Sequence, residues 1–335
     1  MKTREALVIY NPSSGTQVDI DHCVGAVVHN LCVHGDYQVT VRNTVKNFGH
    51  KDVTQLISAG SYDLVAAAGG DGTIRLVLGA ASEACPNTPV ALIPLGTGNQ
   101  LARNLKLYED TLLSDPLLES IKVMLYGIET RIDLGVMNGE YFCVAAGAGP
   151  LSDAVIGPSK QDKANLKMLA YVGSIIQRIA APPVNFRVQT GDDDFQVSAS
   201  GIFVTNVSEL GVGTLSGTAE LNDGLLDLCI ITPAEFGDYL ELGFHFSGGL
   251  LGGDAPYYIR KVKSVKVNVV PIESQLSDFQ AMAHKVRTAF RGESDDPPTY
   301  KEVIAAVDGD SSGTTPMNIE VRPSAVNVLT PRLRP

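Results

Sequence analysis

The first part of the chain alternates short apolar runs, which are typical of buried strands, with segments of helical periodicity. Three of the apolar runs lead directly into turns rich in glycine and hydroxyl residues, at Asn11–Gly15, Gly69–Thr73 and Pro94–Asn99. This alternation predicts an α/β fold with a parallel sheet and helices on both of its faces. Because the carboxyl ends of parallel strands lie at one edge of a sheet, we expect the three turns to lie close together there.

Turns of this composition can bind phosphate, because glycine lets backbone N–H groups approach an anion closely. Hydroxyl groups add further donors, here from Ser13, Ser14, Thr73 and Thr97. The chain has no P-loop pattern, and no Gly-x-Gly-x-x-Gly opens its first helix, which disfavours ordinary mono- and dinucleotide-binding motifs. The alternative is that the glycines only close the βα turns.

From about residue 129 the pattern changes to strand-like runs separated by turn residues, with one clear helical segment at 165–179. Such a pattern predicts a second, mostly antiparallel domain resembling a β-sandwich or a flattened barrel. We therefore predict an α/β domain over residues 1–127 and a β-rich domain over 128–325. A tail, 326–335, is expected to pack back on the first domain.

Composition narrows the class of protein. The 335 residues are 44% hydrophobic and carry a formal net charge of −11, which argues against broad binding to nucleic acid. No apolar run is long enough to predict a spanning helix. The five cysteines lack disulfide or metal spacing, which favours reduced thiols in a cytoplasmic protein.

Acidic turns recur later in the chain, at Leu221–Asp227 and Val307–Asp310. Phosphoryl transfer needs a carboxylate near the incoming hydroxyl and a metal ion to neutralise the phosphates. Asp71 in the second glycine-rich turn is another candidate for the carboxylate. The alternative is that each Asp-Gly pair is a simple hairpin turn.

Taken in order, these motifs resemble the catalytic domain of the diacylglycerol kinase and sphingosine kinase family. The resemblance rests on the three glycine-rich turns, on Ala102–Asn104 and Arg131–Gly135, and on the two late acidic turns. It spans nearly the whole chain, and the 94–99 turn is specific to the lipid kinases, whereas Gly-Gly-Asp-Gly-Thr is shared with NAD kinases.

The resemblance implies a nucleotide-binding first domain, a lipid-binding second domain, and ATP with Mg²⁺ in a cleft between them. It implies that Mg²⁺ is bound by Asp223 with main chain around Glu220 and Leu225. It assigns proton acceptance to Asp310, with Asp71 and Asp308 as further catalytic candidates. The residues implied to bind the nucleotide are Asn11, Ser13, Ser14, Gly15, Thr44, Gly69, Gly70, Asp71, Gly72, Thr73, Gly96, Thr97 and Asn99.

The sequence departs from the family pattern in three places. Asp310 stands where the family usually has Glu, so the carboxylate reaches about 1.5 Å less far. Gln100-Leu101 replaces the common Asp-Phe pair, and residues 273–302 resemble an insertion.

These observations together predict an ATP- and Mg²⁺-dependent lipid kinase acting on diacylglycerol or a related lipid. An NAD kinase-like enzyme with a soluble substrate and a non-catalytic lipid-binding regulator stay open as alternatives. Peripheral membrane contact is expected, and homo-oligomers are allowed. A basic stripe could touch anionic membrane, or could be a solvated strand face; it comprises Arg260, Lys261, Lys263 and Lys266.

Overall fold

A computed structural model describes residues 3–14, 19–45, 48–108, 114–152, 183–210, 213–232, 257–270 and 302–332. The chain forms two compact units. The first unit comprises Met1–Leu134, Leu221–Gly224 and Arg322–Pro335, and the second comprises Gly135–Glu220 and Leu225–Val321. Both units are therefore built from segments that are distant in the sequence.

The first unit alternates strands and helices. Its first strands are β1 (Arg4–Tyr10), β2 (Tyr37–Asn43), β3 (Leu64–Gly69) and β4 (Val90–Pro94). Its helices are α1 (Ile20–His34), α2 (His50–Ser58), α3 (Asp71–Ala84), α4 (Gln100–Asn104) and α5 (Pro116–Tyr126). Local sequence sets several helix starts: the side chain of Asp19 caps α1, and Asp115 followed by Pro116 starts α5.

The strands of the first unit pair in parallel in the order β2-β1-β3-β4. Two long strands contribute residues to each unit: β5 (Ile128–Met137) and β18 (Met317–Thr330). Within the first unit, Val328 of β18 pairs in parallel with Val90 of β4. The sheet therefore gains its fifth strand from residues more than two hundred positions further along the chain.

Helices cover both faces of this sheet. One face packs against α1 and α5 through a buried cluster that includes Val8, Ala66, Val27, Leu31 and Ile121. Since side chains alternate along a strand, Leu7, Ile9 and Val65 point to the other face, where α3 contacts β3 and β4.

The second unit is antiparallel. The strands that lie wholly in this unit are β6 (Glu140–Phe142), β7 (Ala145–Ala148), β8 (Val184–Thr190), β9 (Asp194–Ala199), β10 (Gly201–Thr205), β11 (Glu209–Leu210), β12 (Gly213–Thr214), β13 (Leu226–Ile231), β14 (Tyr257–Val262), β15 (Ser264–Val269), β16 (Ile304–Val307) and β17 (Asp310–Thr314).

These strands form two layers. One layer has the strand order β14-β13-β10-β7-β16-β17, and the other pairs β9, β8, β15 and the first part of β18. A shared core cluster fills the space with side chains from both layers, among them Phe186, Val188, Ile202, Leu228 and Val267.

The predicted fold class is confirmed: an α/β sheet flanked by helices and a mostly antiparallel sandwich. The alternating run 262–269 is divided at Lys263 between β14 and β15, and its inward residues Val265 and Val267 are buried as expected. The predicted helix at 165–179 and all of the 273–302 segment except Glu302 lie outside the described residues. Among the helices that the structure describes, none has the length and hydropathy needed to cross a membrane.

Candidate functional site

The three glycine-rich turns meet at the carboxyl ends of β1, β3 and β4. The N–H of Gly70 donates to Ser14 Oγ at 3.2 Å, and the N–H of Leu95 donates to Gly69 O at 2.8 Å. The second and third turns touch through their backbones, because a Cβ added at Gly96 would lie 2.6 Å from Gly70 Cα. Glycine is therefore required at this contact.

Asp71 joins the second turn to the third. Its Oδ2 accepts the N–H of Asn99 at 2.8 Å, and its Oδ1 accepts the N–H of Gln100 at 2.7 Å. Asp71 is the first residue of α3 and Gln100 is the first residue of α4, so one carboxylate holds the starts of two helices. With both oxygens accepting backbone N–H groups, Asp71 is better placed to shape the site than to take up a proton.

Asn99 closes the third turn on itself. Its backbone is left-handed, with φ of 50°, which asparagine tolerates better than most residues. Its Oδ1 accepts the N–H of Gly96 at 3.1 Å, and its Nδ2 donates to Gly96 O at 3.0 Å. The side chain is 8% exposed, which indicates a structural function in the turn.

The first turn is closed in a similar way. Asn11 Oδ1 accepts the N–H of Ser13 at 2.9 Å, and Asn11 N donates to Ala68 O at 3.1 Å. Thr44 follows β2 and donates its N–H to Tyr10 O at 2.8 Å, which places it beside this turn. Gly15 lies outside the described residues.

The remaining predicted nucleotide-binding residues line the same edge of the sheet. Gly72 and Thr73 are in the first turn of α3, where the helix dipole favours an anion. Thr97 is exposed at the tip of the third turn, whereas Thr73 is buried. The first unit thus brings together every predicted nucleotide-binding residue that the structure describes, and their binding function stays a prediction.

The acidic turn that contains Asp223 is held by Asp133, also in the first unit. Asp133 is fully buried; its Oδ2 accepts the N–H of Gly224 at 2.7 Å, and its N–H donates to Leu221 O at 2.6 Å. Its Oδ1 accepts the N–H of Ser324 at 2.6 Å. The motif Arg131–Gly135 contains Asp133 but does not indicate what this residue binds. A carboxylate among the apolar residues of a strand does, however, indicate that it has buried hydrogen-bond partners.

The late acidic turn is a tight hairpin in the second unit. Asp308 and Gly309 have φ of 46° and 93° and connect β16 to β17, with Val307 paired to Asp310. The carboxylate of Asp308 accepts three consecutive backbone N–H groups at 2.8–2.9 Å; they belong to Cys143, Val144 and Ala145. Asp308 therefore fixes the turn, while Asp310 is exposed at the start of β17.

The predicted metal segment offers oxygen donors. Asp223 is half-buried, and Glu220 and Leu225 precede and follow it closely in the sequence. Across the described ranges, no group of three or more His, Cys, Asp or Glu side chains is arranged to bind a metal ion. One carboxylate with main-chain oxygens and water is, however, a donor set that suits Mg²⁺, so the segment fits the ion.

Comparison with known proteins agrees with this architecture. Residues 5–137 match the model of the diacylglycerol kinase catalytic domain. The diacylglycerol kinase of Bacillus subtilis (strain 168) is 27% identical over 268 residues, which cover 79% of this chain and 86% of that protein. The diacylglycerol kinase of Staphylococcus saprophyticus is 28% identical over 269 residues, which cover 79% and 85%.

Solved structures share the fold. A diacylglycerol kinase from Bacillus anthracis str. Sterne superposes with a TM-score of 0.67 at 18% identity and 98% coverage of both chains. Another structure from the same organism gives a TM-score of 0.72 at 20% identity, covering 98% of this chain and 96% of the other. Residues 5–137 thus carry a diacylglycerol kinase catalytic domain, and the chain is a lipid kinase.

Proposed function

We propose that this lipid kinase transfers the γ-phosphoryl group of ATP to the hydroxyl group of diacylglycerol or a closely related lipid. The observation that carries the proposal is that the three glycine-rich turns meet, with Asp71 joining the second turn to the third and Ser14 joining the first to the second. The two hydrogen bonds that the Asp71 carboxylate accepts fix the starts of α3 and α4 at one edge of the sheet. Backbone N–H groups that a rigid edge of this kind presents can stabilise phosphate charge without reorganising during the reaction.

Asp310 is the proposed proton acceptor for the lipid hydroxyl. It is exposed at the end of a hairpin turn that Asp308 holds through three backbone N–H groups. Asp308 then acts by positioning, because its own oxygens are engaged. The shorter side chain of Asp310, by about 1.5 Å relative to Glu, demands a rigid turn, since misplacement of about 1 Å can cost 10²-fold in rate.

Mg²⁺ is the proposed metal, bound by Asp223 with main-chain oxygens around Glu220 and Leu225. When bound, the ion would neutralise phosphate charge during transfer. Asp133 supports this assignment because it holds the backbone on both sides of Asp223, at Leu221 and Gly224. A ligand-bearing turn fixed in this way loses less conformational freedom when it binds an ion.

Contact with the membrane surface is proposed to involve Lys263 and Lys266. Of the four residues in the predicted basic stripe, Arg260 pairs with Asp192 and Asp193, and Lys261 lies 3.6 Å from Asp227. Lys263 and Lys266 are exposed. Sedimentation with vesicles tests this: Lys263→Glu should weaken binding to anionic vesicles, and equal binding of the wild-type chain to neutral and anionic vesicles would contradict it.

The substrate is tested by incubating the purified chain with labelled ATP and Mg²⁺. The acceptors are diacylglycerol, ceramide and sphingosine in matched mixed micelles, with NAD in parallel. We expect label in phosphatidic acid and none without Mg²⁺. Exclusive labelling of another lipid would overturn the choice of diacylglycerol, and labelling of NAD alone would overturn the lipid substrate.

A further inference from the structure

Asp227 is a buried carboxylate that the proposed mechanism does not use. It lies in β13 between Leu226 and Leu228, which both belong to the core of the second unit. Because side chains alternate along a strand, Asp227 points to the opposite face of its sheet, where it is only 1% exposed. A buried charge is stable only when it is paired and hydrogen-bonded, so its partners indicate its function.

Two of these partners are hydroxyl groups on one short segment. Asp227 Oδ2 accepts a hydrogen bond from Ser216 Oγ at 2.9 Å and another from Thr218 Oγ1 at 3.3 Å. The two hydroxyl oxygens lie 3.1 Å apart, and the N–H of Thr218 donates to Ser216 Oγ at 3.3 Å. Asp227, Ser216 and Thr218 thus form one small hydrogen-bonded cluster.

The charge of Asp227 is balanced from the neighbouring strand. Lys261 of β14 is its direct cross-strand neighbour, and the Lys261 Nζ lies 3.6 Å from Asp227 Oδ1. The lysine side chain is 32% exposed, so it lies between the buried cluster and the solvent. The nearby lysine compensates the buried acidic group, which accepts hydrogen bonds from the two hydroxyl groups.

The segment that Asp227 holds leads directly to the proposed metal site. Residues 215–220 contain no helix or strand, so strand pairing does not fix them. Within the described residues Ser208 also holds this segment: its carbonyl oxygen accepts the N–H of Leu215 at 3.0 Å and that of Ser216 at 3.3 Å, and its Oγ donates to Ala219 O at 3.0 Å. Glu220 follows immediately.

We propose that Asp227 is a positioning residue for the metal segment: through Ser216 and Thr218 it fixes the backbone that leads into Glu220. The inference rests on the proposed binding of Mg²⁺ by residues 220–225. Groups that orient metal ligands without touching the metal typically change metal affinity by about 10–100-fold when they are removed. A role confined to folding would lower stability and leave metal affinity unchanged.

The test measures Mn²⁺ binding to the full purified chain without nucleotide, by the electron paramagnetic resonance signal of the free ion. Asp227→Asn should raise the Mn²⁺ dissociation constant by about 10-fold, and Ser216→Ala should raise it by a smaller factor in the same direction. Ser216→Ala leaves Asp227 and Lys261 in place and serves where Asp227→Asn does not fold. In the kinase assay, both variants should need more free Mg²⁺, with an unchanged KM for lipid.

Two controls separate positioning from stability. Val267→Ala removes core volume in the same unit and should lower the Tm without changing Mn²⁺ affinity. Asp194→Asn removes an exposed carboxylate that pairs with Arg187 and should change neither quantity appreciably. Unchanged Mn²⁺ affinity in Ser216→Ala and in folded Asp227→Asn, while Asp223→Ala loses it, would overturn the role of Asp227 alone. Wild-type Mn²⁺ binding that is absent, or insensitive to Asp223→Ala, would overturn the metal role of the whole segment and the inference with it.

Discussion

The carboxylate of Asp71 accepts the backbone N–H of Asn99 across a distance of 2.8 Å, although 28 positions separate the two residues. This bond and its companion to Gln100 make two glycine-rich turns into one rigid surface. The conformation of each turn then depends on the other, so a change in one should impair phosphate binding by both.

Replacing Asp71 by Asn should reduce kcat/KM by about 10–150-fold. The side-chain NH₂ group of Asn would face one of the two backbone N–H groups, which would then lose a charge-assisted hydrogen bond that contributes about 1.5–3 kcal/mol. The KM for ATP should rise, and circular dichroism should show a retained fold. Asp63→Asn is a matched control, because Asp63 also accepts a backbone N–H in the first unit, from Glu5. A rate near that of wild type would remove Asp71 from the mechanism.

Replacing Gly96 by Ala should weaken ATP binding without unfolding the chain. The added methyl group would lie 2.6 Å from Gly70 Cα and would force the two turns apart, at a cost of about 1–3 kcal/mol. Gly25→Ala, in α1, is the control, because an added Cβ meets no atom within 4 Å there. That control should be slightly more stable than wild type, by roughly 1 kcal/mol, with unchanged kinetics. Equal KM values for ATP in both variants would show that contact between the turns does not matter for nucleotide binding.

Substitutions at Asp308 and Asp310, the two acidic residues of the late hairpin, should have different effects on activity and stability. Asp310→Asn should lower kcat by about 10²–10⁴-fold, because the side chain would lose its basicity, and should lower Tm less than Asp308→Asn does, because Asp310 is exposed. Asp308→Asn should lower both kcat and Tm, because three backbone N–H groups would lose a charged acceptor. Steady-state kinetics with thermal unfolding distinguishes the two patterns. The same loss of Tm in both variants would contradict this division.

The cysteines should differ sharply in reactivity. Cys32 is exposed, whereas Cys229 is buried. Burial is the main cause that raises the pKa of the Cys229 thiol, and the negative charge of Asp227 nearby raises it further. Because the thiolate is the reactive form, iodoacetamide at pH 8 should label Cys32 in the folded chain and Cys229 only after unfolding. Mass spectrometry of the labelled peptides measures this. Early labelling of Cys229 would contradict its burial.

The sequence was sufficient to predict how the turns are grouped, and the reason is periodicity. The alternation of apolar strands and helices places the carboxyl ends of β1, β3 and β4 at one edge of the sheet, and this placement does not depend on the side chains in the turns. The inward positions of Val265 and Val267 followed from a period of two.

The side-chain hydrogen bonds could not be predicted in the same way. Asp133 binds the backbone of Gly224, 91 positions away, and no local pattern encodes such a pairing. The basic stripe shows the same difficulty: alternation indicated an exposed face, but the partners of Arg260 lie in the turn between β8 and β9, and the partner of Lys261 lies in β13. Pairing of this kind becomes visible only when distant strands are placed side by side.

The path of β18 has a practical consequence. Val328 pairs with Val90 of β4, and Leu329 belongs to the core beneath α1 and α5. A fragment that stops after α5 would leave β4 with an open edge and an unfilled hollow beside it, and open edges invite aggregation. Expression of such a fragment alone should therefore yield insoluble material unless the terminal strand is added back through a linker.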